Sequence, residues 1–305
     1  MAKDSPQAPG IIAGSRVRAR AARRILLTIA VVAACVYAAA LLFLISQETR
    51  LVFEYGRPLG ALRPALPFHQ VELPRPGGTG QFAWILPGPD ASAPWILYLH
   101  GNSATVASRV NVVRYEGLRA LGLNLIAPEY RGFGGVAGQP SERSVTEDAR
   151  EGYRYLRETL GIPASRIVIF GWSLGSAVAV NLAADAPAAA VVLEGAPASL
   201  VTIGEMRYPW IPIRMIMRNP FESILKVGRV EAPMLFLHSP EDEIIPIEEG
   251  RRLFAAARAP KQFVEVRGGH IDPADVDSAV YFGAIRAFLG THGVIARRAP
   301  VTARW

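Results

Sequence analysis

Arg166-Ile167-Val168-Ile169-Phe170-Gly171-Trp172-Ser173-Leu174-Gly175 is the stretch on which the fold turns. The run Arg166–Phe170 reads as a buried strand and the segment from Leu174 as a helix, which makes Gly171–Gly175 the junction between them. A junction that sharp strains the serine backbone, tolerates only small residues two positions to either side, and lifts the hydroxyl clear of the sheet. It also leaves Ser173 at the positive end of a helix, where a developing oxyanion is stabilised. In a chain of this composition Gly-x-Ser-x-Gly arises by chance about 0.1 times. The bland alternative is an ordinary strand–helix turn that needs small residues.

Outward from this junction the pattern alternates. Strand-length apolar runs occur at Phe82–Leu86, Trp95–Leu99, Leu123–Ala127, Arg166–Phe170, Ala190–Leu193, Met234–Leu237 and Gln262–Val266. Helix-length segments lie at Val106–Leu121, Val145–Leu160, Leu174–Ala184, Ile247–Ala257 and Pro273–Leu289. Continuous apolar strands alternating with helices predict one α/β domain over 65–290, a mostly parallel sheet covered on both faces. The first strands follow one another with no helix between, so the sheet is expected to begin antiparallel, with Val71–Leu73 as a further short strand. Ile203–Leu225, rich in Met, Pro and aromatic residues, interrupts the alternation and reads as a short cap.

A serine hydroxyl needs a base, because it is scarcely ionised at neutral pH. Of five histidines, His69 and His292 read as surface residues, and His100 and His238 each end a strand, where a hydrogen-bonded structural role is usual. His270 follows the last strand through Gly268-Gly269 and precedes the final helix, over the carboxyl edge of the sheet where open α/β folds bind ligands. The third member is expected to be a carboxylate between serine and histidine in the chain. Asp242 is favoured in the loop after Met234–His238, since Ile244-Ile245-Pro246 anchors the chain beyond it; Glu241, Glu243 and Glu194 are alternatives. His100-Gly101-Asn102 follows another strand, and the backbone N–H of Asn102 is expected to join that of Leu174 in holding an oxyanion.

Taken together, His100-Gly101-Asn102, Glu129-Tyr130-Arg131-Gly132-Phe133-Gly134, Gly171-Trp172-Ser173-Leu174-Gly175, Asp242 with Ile244-Ile245-Pro246, and Gly269-His270 resemble the α/β-hydrolase superfamily, and within it the single-pass membrane-anchored serine hydrolases. The motifs span about 95–270. Ser239 departs from the glycine usual after the strand-end histidine. The resemblance implies acyl transfer to water with Ser173 as nucleophile, His270 as base and Asp242 as its orienting acid, with no metal or organic cofactor. Tyr130-Arg131-Gly132 corresponds to a structural loop in such relatives.

Ile25–Ile45 is a 21-residue run without charge, which as a helix rises about 30 Å, the thickness of a bilayer's hydrocarbon core. Five arginines, Arg16, Arg18, Arg20, Arg23 and Arg24, precede it. Positive charge stays cytoplasmic, so the N-terminus is expected inside and the catalytic domain outside, in the periplasm of a bacterium. A cleaved signal peptide is the competing reading, since Tyr37-Ala38-Ala39-Ala40 offers small residues, but signal cores run only about 7–15 residues. A Pro-rich linker occupies 46–64.

The net charge of +7 sits in the tails. Six cations against Asp4 give +5 in residues 1–24, Arg297, Arg298 and Arg304 give +3 in 291–305, and 25–290 carries −1. No nucleic-acid surface is expected from that distribution. Cys35 has no partner in the chain, which excludes an intrachain disulfide and a cysteine metal site. The expected substrate is a small-molecule ester or acylated compound, lipid-like in view of the anchor and the apolar cap. A peptidase, a thioesterase and a non-catalytic tethered binding module remain as other readings.

Overall fold

The computed structural model describes residues 10–74 and 80–296; the basic residues Lys3, Arg297, Arg298 and Arg304 lie outside them. The chain divides into two units between Glu48 and Thr49.

The first unit is a helix. Helix α1 runs from Gly10 to Phe53, and its last turn belongs to the second unit. Its segment Arg20–Phe53 is long and apolar enough to cross a membrane, with a mean hydropathy of 2.7 in an 18-residue window that has no buried residue. The helix outruns the apolar run at both ends, because charge limits hydropathy but does not stop helix formation by Ala and Arg.

In the second unit the apolar runs pair into one sheet: β1 (His69–Leu73), β2 (Gln81–Leu86), β3 (Trp95–Leu99), β4 (Asn124–Pro128), β5 (Ile167–Trp172), β6 (Ala190–Glu194), β7 (Met234–His238) and β8 (Lys261–Glu265). Their order is β1-β2-β4-β3-β5-β6-β7-β8. The β1–β2 and β2–β4 pairs are antiparallel and every later pair is parallel. Strands without an intervening helix can only turn back on themselves, whereas a parallel return needs a crossover.

The crossovers are α2 (Arg109–Ala120), α3 (Glu142–Arg154), α4 (Leu174–Ala183) and α7 (Ile247–Ala256); α5 (Leu200–Arg207) and α6 (Ile213–Ile216) lie between β6 and β7, and the pair α8 (Pro273–Val276) and α9 (Ser278–Thr291) follows β8. The residues of β3 alternate between two cores, Leu97 and Leu99 facing one with α3, α4 and α7, Ile96 and Tyr98 the other with α2 and α9. That period of two within a wholly apolar run is what burial on both faces requires.

Boundaries differ from the sequence expectation where a specific contact decides them. The last helix breaks at Asp277, whose carboxylate accepts from the Arg267 N–H at 3.1 Å. Helix α3 starts at Glu142 because Ser141 and Ser144 cap it reciprocally. Most of the stretch read as linker, from Thr49 on, belongs to the second unit, with Phe53 fully buried and its ring 6.0 Å from that of Phe221.

Candidate active site

Strand β5 continues past Phe170 to Trp172, pairing Trp172 with Glu194, so the strand delivers the backbone directly into the turn. Ser173 has φ 55 and ψ −124, a conformation that costs a non-glycine residue of order 1–3 kcal/mol. Its N–H donates to the Glu194 carbonyl at 2.8 Å, which holds the strained residue in place. A Cβ on Gly171 would lie 2.3 Å from the Gly175 carbonyl oxygen, and one on Gly175 2.0 Å from that of Leu99. Only glycine fits either position, the packing reason for the motif's spacing.

Three loops at the carboxyl edge bring Ser173, Asp242 and His270 together. His270 Nε2 lies 2.7 Å from Ser173 Oγ, and His270 Nδ1 lies 2.7 Å from Asp242 Oδ2. The other Asp242 oxygen accepts from the N–H groups of Ile244 and Ile245 at 2.9 and 2.8 Å. Burial alone would raise the Asp242 carboxyl; the His270 hydrogen bond and charge, with the two N–H donors, hold it below the ordinary range. His238 donates from Nε2 to the Ile245 carbonyl at 2.8 Å, and burial pushes its pKa down, so a neutral imidazole braces the Asp242 turn from behind.

The alternative acids have other partners. Glu243 accepts the N–H of His270 at 3.0 Å, and Glu241 accepts that of Gly268 at 3.4 Å, so both hold the histidine loop by its backbone. Glu194 is buried against Arg114, which donates from Nε at 2.8 Å, and it also accepts the Tyr281 hydroxyl. The Arg114 guanidinium stacks on Trp172 at 4.8 Å and reaches the Ile271 carbonyl at 3.3 Å, while Trp172 Nε1 donates to the His270 carbonyl at 3.3 Å. Sequence reading missed Arg114 and Trp172. The signal for Arg114 was its place on the buried stripe Asn111, Arg114, Tyr115, Leu118, where a cation has no business without a buried acid. His69 is exposed on β1, and His292 packs on Phe288 at 4.5 Å.

The loop after β3 approaches the serine closely. A Cβ on Gly101 would lie 2.8 Å from the Trp172 ring and 3.1 Å from Ser173 Cβ. Both nitrogens of the buried His100 face oxygens, Nδ1 the Gly101 carbonyl at 2.8 Å and Nε2 the Glu129 carboxylate at 2.8 Å. The peptide unit is planar, so fixing the Gly101 carbonyl fixes the Asn102 N–H in the opposite direction. Among the described residues none accepts from the N–H of Asn102 or of Leu174. Arg131 pairs with Asp148 at 2.6 Å, away from these groups.

Among the described residues no cluster of His, Cys, Asp or Glu is arranged to hold a metal ion. A cleft of about 550 Å³ lies beside α3 and the end of α4, lined by Glu142, Arg150, Asn181, Asp185, Lys226 and others, and none of the three site residues borders it. Its charges pair internally, Lys226 with Glu142 at 2.7 Å and Arg150 with Asp185 at 3.7 Å.

The sequence profile of the Alpha/beta hydrolase family matches residues 96–277. An uncharacterized protein of Mycobacterium tuberculosis is 35% identical over 273 residues, covering 88% of this chain and 96% of its own. A Danio rerio protein named lysophosphatidylserine lipase ABHD12 is 32% identical over 196 residues, which cover 58% of this chain and 51% of that one, so the chain spans about half the length of that relative. Among solved structures, the Pyrococcus furiosus esterase Pf2001 has a TM-score of 0.65 at 15% identity, over 78% of this chain and 97% of that one; the likeness is of fold.

Proposed function

The chain belongs to the Alpha/beta hydrolase family, and from that premise we propose that it is a serine hydrolase cleaving an ester or thioester of a lipid-like acyl substrate beside a membrane. The observation that carries this reading is the unbroken hydrogen-bond line from Ser173 Oγ through His270 to Asp242, 2.7 Å at each step.

In the proposed mechanism Ser173 Oγ attacks the substrate carbonyl while His270 Nε2 takes its proton. Asp242 keeps the imidazole in the tautomer with Nδ1 protonated and stabilises the imidazolium that forms. The negative charge passes to the carbonyl oxygen, which the N–H groups of Leu174 and Asn102 receive. Those donors sit at fixed positions before reaction, so they stabilise the charge without reorganising. His270 returns the proton to the leaving alcohol or thiol. Water then attacks the acyl-serine, delivering its proton to the same nitrogen, and the acid departs as Ser173 regains its own.

Support for a lipid-like substrate comes from the similarity to a protein named as a lysophosphatidylserine lipase and from the apolar helix long enough to cross a bilayer. On this reading the arginines before that helix face the cytoplasm and the catalytic unit faces the other side. The test is hydrolysis of p-nitrophenyl esters of rising chain length and of a lysophospholipid by the full chain in detergent. Turnover that climbs with acyl length is expected. Acetate cleaved as well as the long esters, with the lysophospholipid untouched, would overturn the substrate class.

A further inference from the structure

The excursion between β6 and β7 carries its apolar side chains outward. Met206 is 52% exposed, Trp210 71% and Met215 86%. Residues 206–210, Met-Arg-Tyr-Pro-Trp, are consecutively exposed where α5 ends, in a turn that the Ile211 N–H closes on the Tyr208 carbonyl at 3.0 Å. Turns facing water are built mostly from Gly, Pro, Asn, Asp and Ser; Pro209 fits that rule, and Met206, Tyr208 and Trp210 do not.

The tip is held out by a firm base. The Leu200 N–H donates to the Pro220 carbonyl at 3.0 Å across the root of the excursion, Ser199 caps α5, and Arg214 of α6 pairs with Glu205 of α5 at 3.2 Å. Trp and Tyr are the side chains of the membrane–water boundary, one end apolar and the other wet, and an arginine among them supplies donors for phosphate oxygens. The same residue types also serve protein interfaces; the apolar segment Arg20–Phe53 of the same chain, long enough to cross a membrane, is what selects a bilayer as the occupant.

The entry point of the chain adds a second argument. Phe53 packs on Phe221, one residue beyond the excursion's root, and Glu54 accepts the hydroxyl of Ser103 in the loop after β3. Within the second unit, Phe53 and Glu54 therefore pack beside the root of the excursion and the loop after β3. Ile244 and Ile271, next to the site residues of the carboxyl edge, are also exposed.

We propose that the tip Met206–Trp210, with Met215, docks on the surface of a phospholipid bilayer, the apolar side chains entering the interface and Arg207 meeting lipid phosphates. Docking there turns the mouth at Ser173 toward the leaflet that carries the substrate. The proposal rests on the reading of a membrane-borne ester for its purpose, while its geometry can be tested without catalysis.

The test uses the full chain reconstituted in phosphatidylcholine–phosphatidylglycerol vesicles whose acyl chains carry bromine, a short-range quencher of tryptophan. Helix α1 contains no tryptophan, Trp84, Trp95 and Trp172 are buried, and Trp305, outside the described residues, is shared by wild type and Trp210→Phe, so the difference between the two reads Trp210. Brominated lipid is expected to quench a share of the emission that is missing in Trp210→Phe. Quenching equal in the two proteins, or concentration-dependent crosslinking of the tip to a second copy without quenching, would overturn the proposal. In parallel, Met206→Ser/Met215→Ser is expected to cut hydrolysis of a vesicle-borne ester about tenfold while leaving p-nitrophenyl acetate hydrolysis unchanged. Equal loss on both substrates would overturn the role in substrate access. Quenching at Trp210 with neither ester hydrolysed would leave docking standing and sink the ester reading instead.

Discussion

His100 and Glu129 meet at 2.8 Å with neither side chain exposed, and the other nitrogen of the same histidine holds the Gly101 carbonyl. Through that carbonyl the pair dictates which way the Asn102 N–H points. A flipped 101–102 peptide would present an oxygen where the proposed oxyanion forms. His100→Ala is therefore expected to lower kcat about 10²–10³-fold, as loss of one oxyanion donor does, with KM little changed. The kcat and KM of the variant in its folded state check this; an unchanged kcat contradicts it.

Arg114 and Glu194 form the other buried pair beneath the site. Removing one partner of such a pair strands a charge and costs about 3–5 kcal/mol. Arg114→Met is expected to destabilise the catalytic unit by about that amount, and Arg114→Met/Glu194→Gln to recover most of it. Denaturant titration in detergent measures both. Loss in the double variant as large as the single would mean that the Trp172 stack and the Ile271 carbonyl, rather than the charge, carry the effect.

Asp242→Asn keeps the shape of the loop but lets the amide donate where a carboxylate must accept. The imidazole then favours the wrong tautomer, and kcat is expected to fall about 10⁴-fold in a protein that still folds. Glu243→Gln, which retains an acceptor for the His270 N–H, is expected to fall far less. A comparable loss in both would make Glu243 the working acid.

The two shifted groups near the site give separate acid transitions. His238 has a lowered pKa, so the folded state resists a proton that the unfolded chain binds as pH falls below about 6.5, and stability declines from there. Asp242 also has a lowered pKa; its contribution is present above about 3.9 and is lost as pH falls through the folded value. Stability measured against pH for His238→Gln is expected to lose the upper slope, at most about 1.4 kcal/mol per pH unit, and to keep the lower one. An unaltered slope between pH 6.5 and 5 would contradict the neutral, buried His238.

Much of this arrangement was legible because it is local. The run Ile167–Phe170 and the glycines around Ser173 are adjacent in sequence, and their strand–turn–helix geometry follows from adjacency. The antiparallel start was legible in the missing helices between early strands. The preference for Asp242 over Glu241 and Glu243 rested on Ile244 and Ile245, and the N–H groups of those two residues bind its carboxylate. What stayed hidden joins distant residues: Arg114 to Glu194, 80 positions apart, and Phe53 to Phe221. No local pattern names such a partner. The capping serines of α3 and the break at Asp277 are local, but there a polar side chain bonding to backbone outweighed the apolar periodicity.

The most direct test of the central claim is mass spectrometry of the full chain after reaction with a fluorophosphonate, which captures an activated serine. One adduct on the Ser173 peptide is expected, absent in Ser173→Ala and much slower in His270→Asn. A folded wild type that takes up no probe, or equal labelling of the Ser173→Ala protein, would contradict the account.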